Sequence, residues 1–136
     1  MKTKGFTLIE LLAVIIILGL IAVITIPKIN KQVDQSKSNI AKTSTQSYIK
    51  VIDEYLLHEQ MNKNKIILNG TYTINENGSL TKESETHEIK FNGEKPKGTL
   101  TFIENEIQSG CVQINKYKTT IENGNIKDTE KGTCEE

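Results

Sequence analysis

GFTLIELLAVIIILGLIAVITIP, residues 5–27, is the stretch from which the rest of the chain is read. From Phe6 to Ile26 there are 21 residues without a Lys, Arg, Asn, Gln or Pro, relieved by the small residues Ala13, Gly19 and Ala22. A bilayer's hydrocarbon core takes about 20 apolar residues as a helix, so the run is long enough to span it. Lys2 and Lys4 in front of it favour a cytoplasmic N-terminus, a bias that Lys28 and Lys31 on the far side weaken. One residue is out of place. Glu10 puts a carboxylate inside the span at a cost of roughly 2.5–3.5 kcal/mol on insertion scales, so it is read as functional and needs a partner. No basic residue lies within the run. The partner must come from another chain, from a lipid headgroup, or from a new α-amino group made by cutting the chain nearby.

The five residues MKTKG at the start have the basic, polar character of a leader. A secretory signal of the ordinary kind is cut after its apolar run at an A-x-A-like site. Ala22 is instead followed by Val23, Ile24, Thr25, Ile26 and Pro27. The span is therefore either an uncleaved anchor or is preceded by the cut.

Here the residues carry a resemblance. Gly5-Phe6-Thr7-Leu8-Ile9-Glu10, with lysines before it and an unbroken apolar run ending at Pro27, resembles the class III leader of type IV pilins and type II secretion pseudopilins. The resemblance covers about the first 30 residues. It implies cleavage after Gly5 by a membrane aspartyl protease, N-methylation of the new first residue Phe6 by the same enzyme, and a helix-bending role for Pro27. It also implies that Glu10 pairs with the amine of Phe6 on a neighbouring subunit, which makes Glu10 a selector of assembly register. A Gram-positive source is expected. The implied partners are other pilins in a homo- or hetero-oligomeric filament, the prepilin peptidase and methyltransferase, an assembly platform protein with its ATPase, and membrane lipid before assembly. The implied location is the cell membrane, crossed once with the N-terminus cytoplasmic, and then a cell-surface filament.

Beyond Lys28 a narrower apolar stripe continues at helical spacing through Ile29, Val33, Ile40, Ser44, Tyr48, Val51, Ile52, Tyr55 and Leu56. Lysines and acids, among them Lys37, Lys42, Lys50, Asp53 and Glu54, occupy the opposite face. One helix is expected from about Phe6 to about Met61, bent near Pro27, which lacks a backbone donor. At ~1.5 Å per residue its length of roughly 80 Å exceeds anything a domain of the remaining 70 or so residues can cover, so its N-terminal half is expected to protrude.

After residue 62 the composition turns to β. Asn-Gly recurs at residues 69–70, 77–78, 92–93 and 123–124, a strong hairpin signal because both residues tolerate positive φ. Between these turns the apolar residues alternate: Tyr72 and Ile74, Leu80, Ile89 and Phe91, Leu100 and Phe102, Val112 and Ile114, Ile121 and Ile126. The parity slips between Ile114 and Tyr117, where a turn or bulge is expected. The expected fold is α+β and pilin-like, with the C-terminal half of a long protruding helix packed on a small antiparallel sheet. The expected divisions are a leader (1–5), a transmembrane or filament-core helix (6–27), its amphipathic continuation (28–61) and a β domain (62–136).

Cys111 and Cys134 are the two cysteines, and in an exported segment a disulfide between them is the favoured reading over two free thiols. The tail they bound resembles the disulfide-bounded C-terminal region of many pilins.

The remaining signals bound what the chain does. The net charge is zero, from 17 lysines and 17 acids with no arginine, and there is no basic stripe of the kind a phosphate backbone requires. Nucleic acid is not the default partner, although a folded surface still has lysines to gather. His58 on the helix and His87 in a polar loop have no metal-ligand partner at suitable spacing, and no nucleophile elbow, phosphate loop or catalytic motif is present, so no cofactor is expected. Glu83, Glu85 and Glu88 around His87, and Asp128, Glu130, Glu135 and Glu136 near the end, are read as solvated charge in preference to a calcium site. The tyrosines, with Phe91 and Phe102, are read as core. The expected function is that of a non-enzymatic structural subunit of a pilus or pseudopilus. The alternatives are a membrane-anchored extracytoplasmic binding module and a competence pseudopilin engaged in DNA uptake.

Overall fold

The computed structural model describes residues 4–135; Met1 to Thr3, including Lys2 of the expected leader, and Glu136 of the acidic tail lie outside the described residues. One helix, α1 (Leu8–Met61), runs through 54 residues and continues without interruption across Pro27. It starts at Thr7, whose side chain caps the first turn, and it ends in a Schellman motif. Lys63 takes the left-handed conformation (φ 62°), while the Asn64 N–H reaches the Glu59 carbonyl (3.0 Å) and the Lys63 N–H the Gln60 carbonyl (3.2 Å). Asn64 also donates its side-chain amide to the Glu59 carboxylate at 2.7 Å.

The chain divides into two compact units, one ending at Ser36 and the other beginning at Lys37. In the first, every described residue from Lys4 to Gln35 is exposed, including all the large apolar side chains from Phe6 to Val33.

The second unit contains the rest of α1 and seven strands: β1 (Gly70–Ile74), β2 (Leu80–Lys82), β3 (Glu85–His87), β4 (Lys97–Ile103), β5 (Glu106–Ile114), β6 (Tyr117–Glu122) and β7 (Asn125–Lys131). They form one antiparallel sheet in the order β3-β2-β1-β4-β5-β6-β7. Hairpins connect most neighbours. Paired positive-φ residues make two of the turns, Glu104-Asn105 (49° and 72°) between β4 and β5 and Asn123-Gly124 (51° and 75°) between β6 and β7.

Burial follows the period of each element. On α1 the buried residues are Ala41, Thr45, Tyr48, Ile52 and Leu56, spaced by four, three, four and four. They pack on the inward residues of the sheet, among them Tyr72, Leu80, Leu100, Phe102, Val112, Ile114 and Ile121, to make one core. Tyr48 is central. It is fully buried, meets Phe91 edge-to-face at 5.4 Å, and donates its hydroxyl to the Gly78 carbonyl at 2.6 Å. The α+β architecture and the packing of the Tyr48–Leu56 segment on the sheet agree with the sequence reading, as does the turn between Ile114 and Tyr117, where Asn115 has φ 57°.

Several finer expectations are corrected. Ile40 is 63% exposed, and the stripe runs through Ala41 and Thr45 instead, because Thr45 satisfies its own hydroxyl by donating to the Ala41 carbonyl at 3.0 Å. Ile89 and Phe91 are buried yet lie outside the strands. Asn69-Gly70 is not a hairpin turn. Gly70 opens β1, and Asn69 instead ties β1 to the β4–β5 turn by accepting the Glu104 N–H on its side-chain oxygen at 2.7 Å.

Candidate functional site

The start of α1 carries the residues singled out by sequence. Thr7 and Glu10 form a reciprocal capping box: Glu10 Oε2 accepts the Thr7 N–H at 2.8 Å and the Thr7 hydroxyl at 2.9 Å, while the Glu10 N–H points back to Thr7 Oγ1 at 3.4 Å. The carboxylate that looks misplaced in composition therefore holds the first turn together. Sequence reasoning missed Thr7, although the Thr-x-x-Glu spacing before an apolar run was the signal that would have found it.

Gly5 and Phe6 precede the helix in non-helical backbone. Phe6 is 86% exposed, and a side chain built on Gly5 would meet nothing within 4 Å. Among the described residues, this segment is exposed, non-helical backbone. From Leu8 onward α1 is long and apolar enough to cross a membrane, with a mean hydropathy of 3.0 over its most apolar window. An apolar surface of this extent is not stable against water and requires lipid or protein around it. Further along, Pro27 leaves the Val23 carbonyl without its usual donor, and two residues earlier the Thr25 hydroxyl donates to the Ile21 carbonyl at 2.8 Å.

In the second unit, Cys111 of β5 and Cys134 of the tail are joined in a disulfide. The tail is also held by the Cys134 N–H, which donates to the Gln113 side chain at 3.2 Å. Gly98 on the neighbouring strand makes room: it has φ 129°, and a Cβ there would collide with the Cys111 carbonyl.

His87 is a second residue that the sequence placed wrongly. It is on β3 with 6% of its surface exposed, not in a polar loop. Its Nε2 lies 3.0 Å from Glu85, its Nδ1 lies 3.3 Å from the Tyr55 hydroxyl, and Tyr72 donates to the other Glu85 oxygen at 3.3 Å. Burial, followed by the charges of Glu59, Glu85 and Glu88, raises the Tyr55 hydroxyl above its ordinary range; burial, followed by Glu85, does the same at Tyr72. Both phenols stay protonated, and Tyr72 donates to Glu85. Among the described residues no group of three or more His, Cys, Asp or Glu is placed to hold a metal ion.

Residues 1–26, at the head of this α+β chain, match the family described as the prokaryotic N-terminal methylation motif. The chain is similar to the type II secretion system core protein G of Pseudomonas aeruginosa, with 38% identity over 56 residues, a segment that makes up 41% of this chain and 39% of that protein. The matched segment thus spans about two fifths of that relative's length. No solved structure matches the chain.

Proposed function

We propose that this chain is a structural subunit of a type IV pilus or a type II secretion-like pseudopilus, and not an enzyme. A prepilin peptidase cuts after Gly5 and methylates the amine of Phe6. The subunit is held in the membrane by the apolar segment from Phe6 to Ile26, with its N-terminus cytoplasmic, until it is drawn into a filament with other pilins by the platform protein and ATPase.

The observation that carries this reading is the exposed apolar first unit of α1, headed by a single acid one turn from an accessible Gly5-Phe6 bond. Apolar surface exposed to water costs about 25 cal/mol per Å², so the segment is stable in lipid and again when covered by copies of itself. Ala13, Gly19 and Ala22 permit close approach of helix backbones. In such a bundle Glu10 is stable only when it meets a positive charge. The amine of a neighbouring Phe6 supplies one in a single register, and every other register leaves a buried charge unpaired. Pro27 gives the helix a point at which to bend as it leaves the bundle.

The test is to shear cells expressing the chain and image the released fraction. Filaments containing the chain support the subunit role, whereas a chain that stays monomeric in the membrane makes it an anchored binding module.

A further inference from the structure

The second unit distributes its charge unevenly between the two edges of its sheet. Strands β3 and β7 are the outermost strands, so they stand on opposite edges, about 28 Å apart at six strand spacings.

The β3 edge is acidic. Glu83 lies in the β2–β3 turn and Glu88 directly follows β3; both are exposed. Among the described residues, neither carboxylate has a hydrogen-bond or ion-pair partner. Glu59 of α1 belongs to the same side, since its charge and that of Glu88 both act on the Tyr55 hydroxyl. The nearby Lys82 ammonium donates to the Asn69 carbonyl at 2.6 Å rather than to either of these carboxylates.

Beside β7 lies a groove of about 510 Å³ between α1 and the β6–β7 turn. Lys42, Gln46 and Lys50, at successive steps of four along one ridge of the helix, line one wall, and Asn125 and Ile126 line the other. Ile49 and Ile126 are partly buried and give the groove an apolar floor. No acid lines it, and among the described residues neither lysine has an ion-pair partner. The lysines of β6 and β7 differ in this respect, because Lys118 pairs with Glu130 at 3.2 Å and Lys127 with Glu122 at 2.8 Å.

We propose that the acidic β3 edge of one copy, through Glu83 and Glu88, docks into the Lys42–Lys50 groove of a second copy. Because the two surfaces are different and stand on opposite edges, the contact is heterologous. Repeated without closure, it generates an open helical array. It rests on the filament-subunit reading and adds to it a contact outside the apolar helices, one that fixes which face of each sheet unit meets the next. The rim position of the charges makes them steer and register the contact, with the apolar floor excluding water beneath them.

The experiment uses full-length chains in cells that assemble the wild type. Lys42→Glu/Lys50→Glu makes both surfaces acidic, and Glu83→Lys/Glu88→Lys makes both basic. Each variant expressed alone is expected to yield at least about tenfold fewer filaments than wild type, since like charges then face each other at every contact. Co-expressed, the two are expected to restore filaments in which they alternate. All four substitutions in one chain are expected to restore assembly as well, and the neutral Lys42→Gln/Lys50→Gln chain to fall between wild type and the reversals. Membrane level and an intact disulfide on non-reducing gels report the fold of each variant.

If the wild type makes no filament in any condition, the subunit reading itself fails. If the wild type assembles and either reversal assembles equally well, the contact is refuted. If both reversals fail and neither the mixture nor the fourfold variant recovers, the groove serves an acidic partner other than a second copy, and the contact is again refuted.

Discussion

Thr7 and Glu10 hold each other at the head of α1, with the Glu10 carboxylate taking both the Thr7 hydroxyl at 2.9 Å and the Thr7 N–H at 2.8 Å. Glu10 thus has an intrachain role before any neighbour arrives. In the proposed membrane-held state, the Thr7 donors satisfy a carboxylate whose lone pairs would otherwise be unmet.

Glu10→Ala is therefore expected to lose two things. The cap is worth about 1 kcal/mol. In the proposed filament the larger effect falls on assembly, where a neighbouring Phe6 amine left unpaired would cost about 3–5 kcal/mol, two or more powers of ten per contact. Carbonate extraction checks that the variant still inserts in the membrane, and the sheared fraction is expected to be empty of filaments. Normal filament yield would remove Glu10 from the account.

Thr7→Val keeps the size and shape of the side chain and removes its hydroxyl. Only the capping part of the effect, about 1 kcal/mol, is then at stake, so filament yield is expected to drop less than in Glu10→Ala. A loss as complete as that of Glu10→Ala would mean that Thr7 itself contacts a partner.

Tyr48→Phe keeps the edge-to-face contact with Phe91 but deprives the Gly78 carbonyl of its donor. The expected loss is about 1–3 kcal/mol, read from the denaturation midpoint of the second unit in the detergent-solubilised chain. Burial pushes the Tyr48 hydroxyl far above its ordinary value. A group with a raised folded-state pKa contributes stability that is fully present below the unfolded value, near 10 for tyrosine, and is lost as the pH climbs beyond it. Wild type is therefore expected to weaken above about pH 10, and Tyr48→Phe to weaken less steeply over the same range. Tyr55 and Tyr72, raised in the same direction, leave the variant a residual slope.

The disulfide closes a separation of 23 residues between Cys111 and Cys134. In the chain-entropy description, a loop of that size contributes about 3 kcal/mol. Cys111→Ser/Cys134→Ser is expected to lower the denaturation midpoint accordingly and to make it insensitive to reductant. An unchanged midpoint would place the tail outside the cooperative unit.

Much of this was legible in the sequence, for reasons that differ by element. The helix and its exposed apolar half follow from the uninterrupted run at Phe6 to Ile26, and the strands follow from alternations such as Leu100 and Phe102. What escaped was set by contacts distant in sequence. His87 reads as polar among three glutamates, yet Tyr55 from the helix and Glu85 from its own strand supply partners that let it be buried. Thr45 is polar in composition and behaves as core once its hydroxyl turns back onto α1. The turn at Glu104-Asn105 carries no Asn-Gly signal; Asn105 stabilises it by accepting the Leu68 N–H at 2.6 Å and donating to the Ile66 carbonyl at 3.1 Å. The capping box is local by contrast, and its Thr-x-x-Glu signal stands at Thr7 and Glu10.

The most direct measurement is the mass of the chain purified from sheared filaments, compared between wild type and Gly5→Ala. The wild-type chain is expected to begin at Phe6 and to carry one methyl group on its amine, with Gly5→Ala retaining the leader and accumulating in the membrane. A filament subunit that still begins at Met1, or a wild-type N-terminus at any residue other than Phe6, would contradict the account.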